Sequence, residues 1–437
     1  MKQIVICLLL LASTSIVIAQ RGIYSLPEPF GDVVIISSPI TRTGAGRIFA
    51  SNTLTDTITL FDLDRSILAE FAIGDNPSSV AIVPDNRRAV AISETSLAVI
   101  NLDTNELLAG YEIEGHPYGI VADNDFAYIS LRALDEVIAV SLEDGTISNR
   151  ISTLDAPAAL AKWGDFLYVT HFWSGEFSLI YLPTAEVVRT IQPNPQGSLA
   201  ASIEINPING IAYLPQTIAN TDENATEGNR IIPMLYEVDL SLMTVTRSIN
   251  LAAADRNVNI PIAVRQPSNR SRLYVAHSGS SSVTVLNLDT GEADAHFETG
   301  NNPHGLVFSR DFTQVYSQDN TDATVSLFDT RFFGLADQIP LSDRALDPLE
   351  QIGTRLFNTA MDDRLSNNGL MSCASCHWSG DSDGREWLGQ QTPDASQFDD
   401  IDADWLNQHI ADLQGGSGFD PEGIDMDALL TYLTTLD

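Results

Sequence analysis

The sequence predicts an all-β seven-bladed propeller followed by a small all-α domain, and two observations lead to this fold class. An apolar strand after a Pro or Gly turn recurs near positions 33, 77, 117, 156, 198, 259 and 303, at spacings of 44, 40, 39, 42, 61 and 44 residues. Each unit contains four short strands, which is the period of propeller blades. After Pro340 the apolar period changes from two to that of a helix. We therefore expect the propeller within residues 20–342 and the helical domain within residues 343–437.

The blades are predicted from period-2 alternation, as in Thr57-Ile58-Thr59-Leu60-Phe61-Asp62. The 61-residue spacing is explained by a polar insert, Thr221 to Arg230, whose only apolar residue is Ala225. Two β-sandwiches are the rival all-β interpretation, but a sandwich gives no reason for seven repeats. Seven units therefore favour a propeller.

Two strands of these units have a recognisable form. Leu273-Tyr274-Val275-Ala276-His277 and Tyr168-Val169-Thr170-His171 share a Tyr-Val core, and Val285-Leu286-Asn287-Leu288-Asp289-Thr290-Gly291 follows the first of them. In these strands the sequence resembles the YVTN family of propeller repeats. The resemblance implies the fold and leaves the function open, because propellers carry unrelated activities.

Three helices are expected after the blades. Asp347 is a good N-cap, Pro348 occupies the first helical position, and Glu350 lies at N3. The apolar face of this helix consists of Leu349, Ile352, Leu356, Phe357 and Ala360. A second helix is predicted from about Asp404 to Leu413, because Gly415-Gly416 then stops it. A third begins at Asp425, with an apolar face of Met426, Leu429, Leu430, Leu433 and Leu436.

The charge balance excludes some classes of function. The 437 residues include 58 Asp and Glu against 23 Lys and Arg, which gives a formal charge of −35, and 44% are hydrophobic. The hydrophobic content excludes a disordered acidic polymer. The shortage of cations argues against nucleic-acid binding, which needs clustered Lys and Arg. Two explanations of the acidity stay open, attraction of a basic partner or a saline habitat.

The first 19 residues have the pattern of a secretory signal peptide. Lys2 supplies the positive charge, Ile4 to Leu11 is apolar, and Val17-Ile18-Ala19 offers small residues for cleavage. A retained anchor is the alternative, although the apolar run is shorter than the roughly 20 residues that span a bilayer. We expect an exported protein, periplasmic or extracellular, with no membrane span after cleavage.

Removal of the signal peptide leaves two cysteines, Cys373 and Cys376, in Cys373-Ala374-Ser375-Cys376-His377. This is the attachment sequence for c-type haem, in which two thiols add to the porphyrin vinyl groups and the histidine binds iron. We therefore predict one covalent haem c, with His377 as the proximal ligand. A disulfide and half of a zinc site are the alternatives. A redox disulfide normally lies within a βαβ pattern, and zinc would need two more ligands where only His409 is near.

The surrounding residues follow a familiar order. Gly353-Thr354-Arg355-Leu356-Phe357 precedes Arg364-Leu365-Ser366-Asn367-Asn368-Gly369, the haem motif follows, and Asp383-Gly384-Arg385 comes last. This stretch resembles the haem-binding segment of bacterial di-haem cytochrome c peroxidases and their relatives, and fusions of it to YVTN propellers are similar to this chain. The resemblance implies a cytochrome c-like haem domain over residues 343–437. Those peroxidases carry two haem motifs and this chain has one, so peroxide reduction would need an electron from another protein.

The second axial ligand of the iron stays open at the level of sequence. An electron carrier needs a Met or His donor, whereas a peroxidase-type haem leaves that side open. Met426 and His409 are the leading candidates, and Met361, Met371 or an open site are the others. Arg385 and Trp387 follow the motif, and they either contact the propionates and the ring edge or pack as ordinary side chains.

Four histidines are predicted on one face of the propeller. His116 and His304 lie in the loops that enter inner strands, while His171 and His277 lie where second strands end. Inner strands begin, and second strands end, on the same face, and blade 7 also ends there. We therefore expect this face to carry the haem domain and hypothesise that it binds a metal, a substrate or that domain.

The favoured function is electron transfer by an exported c-type haem protein, with the propeller as the docking platform for a redox partner or substrate. One alternative is a peroxidase-like oxidoreductase with an open axial site. Another is a propeller scaffold or metal-binding enzyme whose haem is an electron port. No catalytic residue is assigned from the sequence.

Overall fold

The structure is a seven-bladed β-propeller with a helical segment on one face. The computed structural model describes residues 34–267, 271–344, 346–392 and 401–436. The predicted signal peptide, residues 1–19, lies outside the described residues. Within those residues, no helix is long and apolar enough to cross a membrane.

Each blade is an antiparallel sheet whose strands follow one another in the chain. From the inner to the outer strand, blades 1 to 3 comprise Ile40–Arg42, Ile48–Asn52, Thr57–Phe61 and Ile67–Ala72; Ser79–Ile82, Arg88–Ile92, Ser96–Asn101 and Glu106–Glu112; Pro117–Ala122, Phe126–Leu131, Glu136–Ser141 and Ile147–Ser152. Blades 4, 6 and 7 comprise Pro157–Trp163, Phe166–His171, Phe177–Tyr181 and Glu186–Ile191; Pro261–Arg265, Arg272–His277, Ser282–Asn287 and Ala293–Glu298; Pro303–Phe308, Gln314–Asp319, Thr324–Asp329 and Leu335–Pro340.

Blade 5 differs in its inner strand, which is interrupted. The two short pieces, Gly197–Ser198 and Glu204–Asn206, both pair with Ile211–Ala219. The remaining strands are Ile231–Asp239 and Thr244–Asn250. The second and third strands of this blade are the longest of the propeller, and the polar insert lies between them.

Burial follows the position of a strand in its blade. All five residues of Ile48–Asn52 are buried, whereas Ile67–Ala72 at the outer edge of the same blade is mostly exposed. Apolar side chains of neighbouring blades form the core, as where Phe49 and Ile58 of blade 1 meet Val80 and Ala91 of blade 2. The alternating pattern thus gives each middle strand two buried faces.

The first repeat was placed wrongly by sequence, since its inner strand begins at Ile40 and not near position 33. The apolar residues Ile35–Ile36 instead add an extra strand to the inner edge of blade 4, opposite Lys162 and Ala161. The backbone N–H of Ser37 then donates to the carbonyl of Leu160 at 2.9 Å. Residues 35–38 therefore run along the inner strands before the chain enters blade 1. The prediction was wrong because an apolar run has the same sequence pattern whichever blade it pairs with.

Blades 7 and 1 close the ring through polar contacts. The Arg42 Nε donates to the carbonyl of Phe308 at 3.0 Å, and the Thr59 hydroxyl donates to the carbonyl of Leu341 at 2.6 Å. Since each blade consists of consecutive strands, no strand is exchanged at this joint. Such buried bonds to backbone carbonyls hold the two ends of the propeller together.

Helices lie in the insert, between blades 5 and 6, and after blade 7. They are α1 (Glu227–Arg230), α2 (Leu251–Ala254), α3 (Pro348–Asn358), α4 (Ala403–His409), which continues as a π-helical turn (Ile410–Gln414), and α5 (Ile424–Leu433). Single 3₁₀ turns are Ser278–Ser280, Asn320–Asp322, Cys373–Ser375 and Trp378–Gly380.

The three helices expected after blade 7 are present. The Asp347 carboxylate caps α3 by accepting from the N–H groups of Leu349 and Glu350, as predicted. The helix ends at Asn358, so Ala360 lies beyond it, and α5 begins one residue before Asp425. The segment also contains a small antiparallel pair, Glu386–Trp387 with Gln390–Gln391. It is therefore mostly but not purely helical, which differs from the all-α expectation.

Candidate cofactor site in the helical segment

The Cys-x-x-Cys-His residues lie on a tight turn. Cys373–Ser375 is a 3₁₀ turn, and the N–H groups of Cys376 and His377 both donate to the carbonyl of Cys373, at 3.2 and 2.9 Å. Both cysteines are free thiols, and burial raises the pKa of each. The turn places two protonated thiols and one imidazole on the wall of a single cavity.

This cavity has a volume of about 470 Å³, within the range of small-molecule and cofactor sites. Its wall combines aromatic, apolar and polar side chains, namely Met371, Ser372, Cys373, Cys376, His377, Trp387, Leu388, Gln391, Thr392, Trp405, Gln408, His409, Asp412, Leu413 and Gln414. Gln414 donates to the sulfur of Cys373 at 3.6 Å, while its buried Oε1 has no hydrogen-bond partner among the described residues.

Two imidazoles lie close together on the wall of this cavity. The ring centres of His377 and His409 are 6.4 Å apart, and the planes are inclined by 50°. His409 stacks on Trp405, with ring centres 4.9 Å apart and planes 15° from parallel. Burial lowers the pKa of His409, which favours the neutral ring with a free lone pair. Trp405 is 44% exposed and so connects the stacked histidine with the surface.

The structure separates the candidate axial ligands. His409 and Met371 line the cavity, whereas Met426 and Met361 do not. Met426 is fully buried in α5, in the same apolar cluster as Leu356 and Phe357 of α3, and Met361 is 57% exposed. Of the candidate ligands, His409 and Met371 therefore share the cavity with His377, and Met426 does not.

The propeller holds the turn through Asn259, a fully buried residue just before blade 6. Its amide nitrogen donates to the carbonyl of Leu370 at 2.7 Å and to the hydroxyl of Ser375 at 3.0 Å. Its amide oxygen accepts from the hydroxyl of Ser372 at 2.9 Å. One side chain thus uses both of its polar atoms on the residues that flank Cys373. Sequence reasoning missed this residue, because nothing local marks a partner more than 100 positions away.

Arg385 is a second attachment, directed from the segment into the propeller. Its guanidinium donates to the carbonyls of Gln196, Ala219 and Gly197 at 3.0, 3.1 and 2.9 Å. It does not line the cavity, so the structure favours packing over a contact with a bound group. Trp387 does line it, and its indole N–H donates to Asp383 at 3.0 Å.

Arg230, the last residue of the insert, reaches the other wall of the cavity. Its guanidinium donates to the carbonyls of Asp412 and Leu413 at 3.1 and 3.0 Å. These residues belong to the turn that follows His409. Sequence reasoning identified the insert as the cause of a long repeat but gave Arg230 no role. The only sequence signal for such a role was that Arg230 is the single cation in the polar insert and lies at its end.

The four propeller histidines precede or lie in four different blades and are not brought together. His116 is exposed and lies 3.2 Å from Glu94, while His171 and His277 are fully buried and bond to the hydroxyls of Ser178 and Thr284. Throughout the described ranges, no three His, Cys, Asp or Glu side chains are grouped so that they could hold a metal ion.

His304 is the histidine of this set that contacts the helical segment. Its ring stacks on Trp378, with ring centres 5.2 Å apart and planes 23° from parallel. Burial lowers the pKa of His304 to about 4. Nearby, Arg132 pairs with Asp381 at 3.0 Å. Contacts of this kind, from blades 3 to 7, join the propeller to the segment that carries the Cys-x-x-Cys-His turn.

Comparisons with known proteins identify the fold and nothing finer. No family model and no curated protein matches the sequence. A chain of the solved Kuenenia stuttgartiensis hydrazine synthase aligns with a TM-score of 0.59 and 16% identity, covering 67% of this chain and 96% of that one. At this identity the likeness shows a shared propeller fold alone.

Proposed function

We propose that this protein binds one haem c and transfers electrons between partners outside the cytoplasm. In this proposal Cys373 and Cys376 would hold the haem through thioether bonds, and His377 and His409 would both bind its iron. The observation that carries the proposal is a pair of imidazoles with ring centres 6.4 Å apart on the wall of a cavity that also carries two free thiols.

The residues present fit the group. Imidazole nitrogens bind metals at about 2 Å, so two rings on opposite sides of one ion have centres about 6 Å apart. The observed 6.4 Å agrees with this separation. Trp387, Leu388 and Leu413 supply apolar walls of the kind that a porphyrin needs. Polar side chains such as Gln391, Gln408 and Gln414 line the same cavity.

Two histidine ligands would favour electron transfer over peroxide reduction. A bound haem would supply a one-electron couple, and binding of its iron by both His377 and His409 would leave peroxide no open position. Stacking on Trp405 fixes the orientation of His409, and burial keeps its ring neutral. Because Trp405 is 44% exposed, it also gives a short route from the site to the surface.

The partner proposed here is a basic redox protein. The formal charge of the chain is −35, and Asp404 and Asp412 are exposed beside Trp405 and His409. Charges of this sign steer a basic partner and make its association rate fall with ionic strength. The proposal includes export through the signal peptide at residues 1–19, and a YVTN-like propeller that serves as the platform on which the haem-binding segment is held.

The test is the optical and EPR spectrum of the protein produced with the haem-attachment machinery of the bacterial periplasm. We expect covalent haem with a low-spin signal, conversion to high spin in His409→Ala, and no change in the control Met426→Leu. Cys373→Ala with Cys376→Ala is expected to lose covalent haem while the blades stay folded. A high-spin wild type that reacts with peroxide would favour the peroxidase, and a wild type without covalent haem would refute the cofactor.

A further inference from the structure

The insert in blade 5 is built to present Arg230. The backbone N–H of Asn220 donates to the carbonyl of Arg230 at 2.7 Å, and the Asn220 side chain donates to the carbonyl of Asn229 at 3.2 Å. Asn229 in turn accepts from the backbone N–H of Thr226 at 2.7 Å. These bonds join the two ends of the insert and so fix the backbone position from which the Arg230 side chain extends.

The Arg230 guanidinium meets the end of the helix that carries His409. Helix C-termini leave carbonyls without intrahelical partners and carry partial negative charge, which a cation complements. Arg230 is only 9% exposed, and it bonds to the carbonyls three and four residues after His409. Removal of the guanidinium would leave these acceptors unpaired at the point where the helix ends.

Apolar packing joins the same part of blade 5 to the cavity. Ala219 and Ile231, which flank the insert, are buried in one cluster with Met371, Cys376 and Trp387. Leu413, whose carbonyl Arg230 binds, packs against this cluster. The end of blade 5 therefore touches residues on both sides of the cavity.

The opposite wall has its own attachment to the propeller. Asn259, just before blade 6, bonds to Leu370, Ser372 and Ser375 around the turn that carries Cys373 and His377. The His377 wall is thus held from blade 6, while the His409 wall is held from blade 5. The distance between the imidazoles depends on two neighbouring blades of one propeller.

We propose that Arg230 is a positioning residue for axial ligation, which keeps His409 at bonding distance from the iron held by His377. This inference rests on the proposed function, because ligation requires the haem. The propeller then does more than dock a partner, since its insert sets the coordination of the iron. Release of the Arg230 contact would move His409 away and open the site to small ligands such as cyanide.

The experiment compares Arg230→Met and Arg230→Lys in protein with covalent haem. Arg230→Met keeps an unbranched apolar stem and removes the guanidinium donors, so we expect a high-spin fraction and cyanide binding at least tenfold faster than in the wild type. Arg230→Lys retains one charged donor and is expected to restore most of the low-spin signal. The control is Arg247→Met, because Arg247 also binds a carbonyl, that of Leu288, within the blades and away from the helical segment.

A second measurement needs no haem. In the background of Cys373→Ala with Cys376→Ala, amide hydrogen exchange over Ile410–Gln414 should be at least tenfold faster with Arg230→Met than without it, and the blades should be unaffected. Arg230→Met that stays low-spin, with unchanged cyanide binding and unchanged exchange, would overturn the inference. A wild type that is itself high-spin would instead refute the proposed function, while the exchange result would still test the contact of Arg230.

Discussion

Replacement of Asn259 by Ala tests whether the propeller holds the Cys-x-x-Cys-His turn. The change removes two donated bonds, to Leu370 and Ser375, and one accepted bond, from Ser372. The hydroxyls of Ser372 and Ser375 lie 3.3 Å apart and keep each other as partners. The loss therefore falls mainly on the buried carbonyl of Leu370, which has no such replacement from these two hydroxyls.

The size of the effect follows from these three bonds. A typical bond contributes about 0.5–1.5 kcal/mol net, and a buried acceptor left unpaired costs about 1–3 kcal/mol. We expect the free energy of local opening of the turn to fall by about 3 kcal/mol, which is roughly a hundredfold in the opening equilibrium, since about 1.4 kcal/mol is tenfold.

Native-state hydrogen exchange measures this opening directly. The N–H groups of Cys376 and His377, which bond to Cys373, are expected to exchange about a hundredfold faster in Asn259→Ala, by the estimate above. Amides in the middle strands should keep their rates. Asn257→Ala is the matched control, because exposed Asn257 makes one bond, to the carbonyl of Asn368 at 2.8 Å. A change below fivefold at the turn, or an equal change throughout the blades, would contradict the argument.

Two further predictions concern packing and pH. Gly353→Ala should lower the urea midpoint of unfolding despite the better helix propensity of Ala, because the added Cβ would clash with the carbonyl oxygen of Ala428. Gly334→Ala is the control and should leave the midpoint unchanged, because a Cβ there meets no atom within 4 Å. Burial raises the pKa of Asp319 to about 7, so its folded state binds the proton more tightly and stability falls as pH rises from about 4 to about 7. Over that interval, the free energy of unfolding measured in urea should therefore fall less for Asp319→Asn than for the wild type. If the stability of the two proteins changes in parallel with pH, the raised pKa of Asp319 is contradicted.

Local signals explain what the sequence predicted well. The blade period depends on strands and turns that lie next to each other in the chain, and apart from the strand Ile35–Ile36 added to blade 4, all seven blades use consecutive strands. The start of α3 depends on Asp347 and the two N–H groups that follow it within three residues. The Cys-x-x-Cys-His turn is likewise a five-residue feature. In each case the residues that cause the structure are neighbours, so their pattern is visible without the fold.

Long-range partners explain what the sequence did not predict. Ile35–Ile36 has an apolar pattern that fits an inner strand, but its partner is the inner strand of blade 4, more than 120 residues later. Asn259 and Arg230 look like ordinary polar residues of connections, and their partners lie more than 100 and about 180 positions away. Similarly, His409 could be related to His377 only through the folding of the segment between them.

The repeat itself distinguishes structural histidines from the one that contacts the helical segment. His171 and His277 bond to hydroxyls seven residues later, Ser178 and Thr284, and Asp319 of blade 7 does the same with Ser326. His116 has a positive φ of 54°, as do Asn76 and Asn302 with 49° and 58° at the same position before a proline. These three histidines therefore fill places that recur in other blades and serve the blades. His304 has no such recurring partner and stacks on Trp378, so a histidine that departs from the repeat is the better guide to the face that contacts the helical segment.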